Sequence, residues 1–141
     1  MEMTAYLSFK GNCEAAFKFY EHCLGAQPGS IFRYAGSPMA GQVPPDWSDK
    51  VMHGSLTVGG QVIMAADVLP ESYEEPRRFL LSLQMKNVND AERIFRELAI
   101  DGRVVMQLEK TFWADRFGMV VDRFGIPWLI NCEGATEAAN A

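Results

Sequence analysis

The chain has 141 residues, 48% of them hydrophobic and 22% charged, a size that suits one globular domain of roughly 100 to 150 residues and excludes two full ones. A chain this long buries roughly two-thirds of its unfolded surface, so its core needs neither disulfides nor a structural metal. With 13 Lys and Arg against 18 Asp and Glu, a net charge of -5 and no basic run, a surface that tracks nucleic-acid phosphates is not expected.

The three cysteines, Cys13, Cys23 and Cys132, are odd in number and form no C-x-x-C pair. They read as reduced thiols rather than a disulfide framework or a zinc knuckle. Met1-Glu2-Met3-Thr4 has no basic leader character, and no apolar run approaches the roughly 18 to 20 residues of a membrane span. The expectation is a cytoplasmic protein with no membrane partner.

Residues Ala5 to Phe9 read as a short strand ending at Lys10-Gly11. A helix follows: Asn12 suits the N-cap, Cys13, Ala16, Phe17, Tyr20, Cys23 and Leu24 recur at helical spacing, and Gly25 suits the left-handed C-terminal position. Ser30 to Tyr34 is the next strand. The Gly- and Pro-rich stretch from Gly36 to Asp46 reads as a mobile excursion. Val51 to Val58 and Gln61 to Ala66 flank Gly59-Gly60, a two-residue hairpin turn.

The second half repeats this order. Phe79 to Met85 reads as a strand, Asn87 or Asn89 as a cap, and Val88, Ala91, Phe95, Leu98 and Ala99 as the apolar face of a helix ending at Asp101-Gly102. Then come Arg103 to Glu109, a loop through Phe112-Trp113, Gly118 to Val121, a turn at Asp122 to Gly125, and Pro127 to Cys132. At an offset of roughly 75 residues, Asn12 meets Asn87, Ala16 meets Ala91 and Tyr20 meets Phe95. An α+β chain of two β-α-β-β-β modules follows, each with one helix over one face of its sheet. The modules run over about 1–70 and 71–133 of a single domain, with a frayed tail at 134–141.

The string Thr111-Phe112-Trp113-Ala114-Asp115-Arg116-Phe117-Gly118, the later Asp122-Arg123-Phe124-Gly125-Ile126-Pro127-Trp128, and the opening Tyr6-Leu7-Ser8-Phe9-Lys10-Gly11-Asn12-Cys13 with Phe19-Tyr20 and Leu24-Gly25 resemble the PhnB-like branch of the vicinal oxygen chelate superfamily. Glyoxalase I, bleomycin-resistance proteins and extradiol dioxygenases belong to that superfamily. The resemblance implies sheets curled around a cavity, helices outside, a homodimer and a small-molecule ligand. It also implies metal-ligand positions, which fall on Ala5, near Met64, near Arg78 and on Leu129. Ala and Leu offer no lone pair and Arg is permanently cationic, so no metal or other cofactor is expected. The leading expectation is a binding protein with an aromatic-lined cavity. The alternative is a divalent-metal-dependent lyase, isomerase or dioxygenase.

Only His22 and His53 are present, so a three-His site cannot form within one chain. His22 reads as a solvated helix residue. His53, with Asp67 at the end of the neighbouring strand, is either an acid/base pair, part of a relocated metal site, or a structural residue bonded to a backbone carbonyl. Phe9, Met64, Trp113 and Asn131 are candidate ligand-lining residues. Trp113 reads as a lid and Asn131 as a polar group on the cavity side. Trp128 alternates to the opposite face from Leu129 and either lines the cavity or packs under the second helix. Arg78 offers a charge for an anionic substrate if it points inward, and otherwise belongs to an exposed basic pair with Arg77.

Overall fold

The computed structural model describes residues 1–134; most of the tail, 135–141, lies outside them. Its elements are β1 (Ala5–Phe9), α1 (Cys13–Leu24), β2 (Gln27–Arg33), β3 (Val51–Val58), β4 (Gln61–Asp67), β5 (Leu81–Met85), α2 (Val88–Ala99), β6 (Arg103–Glu109), β7 (Ala114–Val121) and β8 (Pro127–Glu133). The chain divides into two compact units between Glu74 and Glu75. Each unit carries one helix and one four-stranded mixed sheet, ordered β1-β4-β3-β2 in the first and β5-β8-β7-β6 in the second.

The duplication is clearer in geometry than in residue identity. In both units the successive elements contain 5, 12, 7, 8 and 7 residues. The first strand pairs in parallel with the last, Phe9 opposite Asp67 and Met85 opposite Cys132. By that register Gly54, opposite Ala65, is the counterpart of Gly118, opposite Ile130. A Cβ at Gly54 would sit 3.1 Å from the Phe17 ring, and one at Gly118 would sit 3.0 Å from the Phe95 ring. In each unit a bare backbone on the central strand lets a helix aromatic press against the sheet, which places one core layer between helix and strands.

Alternation assigns the faces. In β1, Leu7 and Phe9 are buried towards α1 whereas Tyr6 and Ser8 are exposed. The first core joins Leu7, Phe9, Leu56 and Ile63 to Ala16, Phe17 and Tyr20; the second joins Val120, Trp128 and Ile130 to Ala91, Phe95 and Leu98. Burying one such large apolar side chain contributes roughly 1.5 to 3 kcal/mol.

The structure changes several local expectations. Asn12 occupies the N-cap of α1 but makes no side-chain cap bond, whereas Asn87 accepts from the Asp90 amide at 3.1 Å and caps α2 as expected. Gly25 takes φ 65° at the end of α1, and Gly59 and Gly60 both take positive φ in the β3–β4 turn. The excursion after β2 holds two single 3-10 turns, Ala40–Gln42 and Pro45–Trp47, and is tied at its base by Trp47, which is buried. β7 begins at Ala114, four residues earlier than expected, because Ala114 to Val121 pair continuously enough with β8 to extend the ladder.

Candidate open-face site

Each sheet has one face covered by its helix and one face that is not. On the first sheet the open face carries Tyr6, Ser8, His53, Ser55, Met64 and Phe32. Phe32 lies opposite His53, Tyr6 opposite Met64, and Met64 opposite Ser55. The Tyr6 hydroxyl and His53 Nδ1 are 3.0 Å apart. The His53 ring centroid lies 5.6 Å from that of Tyr6 and 6.4 Å from that of Phe32. Partial burial, followed by the neighbouring Cys13 and Tyr34, pushes the Tyr6 phenol above its ordinary value of 10, so at neutral pH it keeps its proton. When the phenol donates to Nδ1, Nε2 of a neutral His53 carries the ring hydrogen and is a donor to a ligand. When Nδ1–H donates to the phenol oxygen, Nε2 is an acceptor.

Asp67 does not join this group. By alternation it shares the helix-facing side with Ala65, whereas His53 points to the open side. Its Oδ1 accepts from the amides of Gly11 and Cys13, and its Oδ2 from the amide of Val51, all at 2.9 Å. Of the alternatives for His53, pairing with Asp67 does not occur: the sheet separates the two residues, and the carboxylate is engaged in holding backbone. Phe9 is corrected on the same ground. At 1% exposed it belongs to the core beneath α1 because it has the parity of Leu7, not that of Tyr6.

Met64 does lie on the open face, half-buried between Tyr6 and Ser55. Arg78 is exposed just ahead of β5 and takes φ 64°, uncommon for a residue with a Cβ. Among the described residues, no hydrogen bond or ion pair fixes its direction towards either face. Ala5 and Leu129 stand in β1 and β8. The four positions that the family pattern assigns to a metal thus present an alkyl group, a thioether, a guanidinium and a second alkyl group, a donor set that does not fit a divalent ion. Among the described residues, no three His, Cys, Asp or Glu side chains come together elsewhere in a metal-binding group.

On the second sheet the open face carries Asn131 and Leu129 of β8, Ser82 and Gln84 of β5, and Phe117 and Met119 of β7, in direct register. Trp113 stacks edge-on against Phe117 at 5.2 Å, and Phe112 against Trp113 at 4.7 Å. Trp113 is 39% exposed and Phe112 is 97% exposed. Thr111 Oγ1 accepts from the amides of Trp113 and Ala114, which fixes the turn that presents both rings. Trp128 packs on the helix side. It is 1% exposed, and its indole N–H donates to Asp122 Oδ2 at 2.8 Å. Asp122 Oδ1 also closes the β7–β8 turn by accepting from Phe124 and Ile126.

Tyr6, Phe32, Gln84 and Phe117 join these faces without being among the residues that the sequence pattern singles out. The signal for Tyr6 was present in Ala5-Tyr6-Leu7-Ser8-Phe9, where the polar-tipped residues alternate with the apolar ones. The others depend on cross-strand register. A recess of about 180 Å³ lies on the helix side of the first sheet, between Phe17 and Lys18 of α1 and Pro28 and Ile31 of β2. It contains none of the expected site residues.

Residues 4–130 match the family described as the Glyoxalase/Bleomycin resistance protein/Dioxygenase superfamily. The protein YjdN of Escherichia coli is 35% identical, over 93% of this chain and 95% of its own length. Protein PA1353 from Pseudomonas aeruginosa is 42% identical with a TM-score of 0.84, covering 94% of this chain and 98% of that one. A PhnB protein from Bacillus cereus is 25% identical with a TM-score of 0.80, covering 94% and 99%. On the match over residues 4–130 and on these full-length likenesses, the chain belongs to the glyoxalase/bleomycin resistance/dioxygenase superfamily and stands with its PhnB-like members.

Proposed function

We propose that this chain is a small-molecule-binding protein that receives its ligand on the open sheet faces, without the metal tetrad of its superfamily. The observation that carries this reading is the Tyr6–His53–Phe32 cluster. Tyr6 is 54% exposed and Phe32 is 56% exposed on either side of an imidazole. Aromatic area of this kind, with a few polar tips set into it, is the usual composition of a ligand site. The lining offers stacking, one imidazole nitrogen and hydroxyl groups, which suffices for binding.

The reading includes a homodimer in the cytoplasm. Supporting the dimer, β6 is an edge strand and leaves Val104, Val105 and Met106 exposed, an apolar strip suited to cover by a second copy. Sedimentation equilibrium tests it, with a monomer at micromolar concentration as the contrary result. Among the described residues, no helix is long and apolar enough to cross a membrane.

Ligand binding is tested by screening small organic molecules by thermal shift, then following each hit by ¹H–¹⁵N and aromatic NMR. Hits are expected to move the Tyr6, His53 and Phe32 resonances, and Tyr6→Ala or His53→Ala should weaken them by about tenfold while the fold survives. Hits silent on both open faces, at Tyr6, His53 and Phe32 on the first and at Trp113, Phe117 and Asn131 on the second, would overturn the reading.

A further inference from the structure

On the second sheet, Asn131 Nδ2 donates to Gln84 Oε1 at 2.7 Å, and Gln84 Nε2 donates to Ser82 Oγ at 2.7 Å. This chain of amides crosses from β8 to β5 and uses its donors in one direction. Its far end is bare: Asn131 Oδ1 is buried and accepts no hydrogen bond. Strand interiors seldom keep such an oxygen, because burial removes its water and nothing replaces it. A leucine would pack at this position without that cost.

The surroundings indicate what would supply the missing donor. Phe117 is the direct cross-strand neighbour of Asn131, and Trp113 and Phe112 extend the aromatic surface outward. Ser82, Gln84, Leu129 and Met119, which lie around Asn131 in the ladder, are uncharged, and acidic residues stand further out, at Glu109 opposite Phe117 on β6 and at Glu133 at the end of β8. An anionic ligand would lose its hydration here without gaining a counter-ion, and a cation would meet its counter-charge only at the exposed Glu109 and Glu133, away from the buried oxygen. Because the oxygen is buried, a ligand reaches it only when side chains on this face shift, and the exposed Phe112 and Trp113 have solvent space to move.

We propose that Asn131 Oδ1 is the anchor for an uncharged planar ligand that presents one N–H or O–H donor to it and stacks on Trp113 and Phe117. The proposal rests on the small-molecule reading above and narrows it to a ligand class. The donor matters as much as the plane, because it satisfies an oxygen that is otherwise left unpaired.

The test compares 2-naphthol with 2-methoxynaphthalene, two planar probes that differ in the hydroxyl hydrogen. Affinity is measured by NMR titration of the intact chain, reading the Trp113 indole and Asn131 side-chain amide signals. The wild type should bind the naphthol about fivefold more tightly than the ether, and Asn131→Leu should bring the two within about twofold. Asn131→Leu should also keep or raise the melting temperature, since it removes the orphaned oxygen. Trp113→Ala should weaken both probes. Equal affinity of the wild type for both probes, or a preference that survives Asn131→Leu, overturns the proposal. If naphthol moves only Tyr6, His53 and Phe32, the anchor fails while the binding function stands. If neither probe moves any resonance, the anchor also fails, and the thermal-shift screen separately decides the broader reading.

Discussion

The Asp67 carboxylate accepts a hydrogen bond from the Cys13 amide at 2.9 Å, so the last residue of β4 caps the start of a helix 54 positions earlier in the chain. A side chain from another element performs the task that Asn12, sitting at the cap, leaves undone. With Gly11 and Val51 as further donors, Asp67 ties β1, α1, β3 and β4 into one corner. Asp67→Asn should cost about 2 kcal/mol, because an amide turns a donor towards a backbone N–H, and Asp67→Ala about 3 kcal/mol or more. Asn12→Ala should cost below about 0.5 kcal/mol, less than the loss of a bonded cap. Urea denaturation of the three variants checks this order.

The two tryptophans of the family-like strings should behave oppositely. Trp128→Ala should cost roughly 3 to 5 kcal/mol through the cavity it leaves, and Trp128→Phe about 1 to 3 kcal/mol by removing the indole donor to Asp122. Trp113→Ala should stay within about 1 kcal/mol, because its ring is half in solvent. Chemical denaturation measures all three, and severe unfolding of Trp113→Ala would assign that ring to the core.

All three thiols are buried. Burial, with the charges of Asp67 and Glu14, pushes Cys13 up to about 12, and burial followed by Asp115 also raises Cys132. At pH 8 the Cys13 thiolate fraction is then about one in ten thousand. A thiol-specific chromogenic reagent should therefore count close to zero fast-reacting groups in the native chain and three in denaturant.

Arg33 forms a two-pronged pair with Glu14 on the flank of α1, the closer contact at 2.8 Å. The hydrogen bond from Arg33 holds the Glu14 carboxyl below its ordinary 4.5. A lowered folded value means that the stabilisation is complete above about pH 4.5 and disappears as pH falls through the folded value. Both side chains are about 40% exposed, so solvent screening limits the pair to below about 1 kcal/mol. The stability difference between wild type and Glu14→Gln should be present at pH 7 and shrink as the pH falls below 4.5. Melting curves across that range test its sign.

Much of the architecture was legible in local patterns. The apolar spacing over Cys13 to Leu24 marks a helix, Gly59-Gly60 marks a hairpin, and the repeated order of elements marks two similar halves. Each depends on residues within a few positions of one another, where steric limits and hydrophobic periodicity act directly. The candidate site was less legible. Trp113 reads as a cavity lid and Asn131 and Met64 as ligand-lining residues; the structure places Asn131 and Met64 on the sheet faces that the helices leave uncovered and Trp113 edge-on against Phe117. Phe9 was misplaced because its strand neighbours a site while its own parity turns it inward.

The sequence by itself determined the element types, the duplicated plan and the family likeness, because all three are written in short-range spacing. Only tertiary structure decided that Asp67 serves backbone amides instead of His53, that Tyr6 is the partner of His53, and that Asn131 meets Gln84 and Phe117. Those outcomes depend on which strand lies beside which and at what register. A one-residue slip would send each side chain to the opposite face, and the partner that fixes it lies tens of residues away.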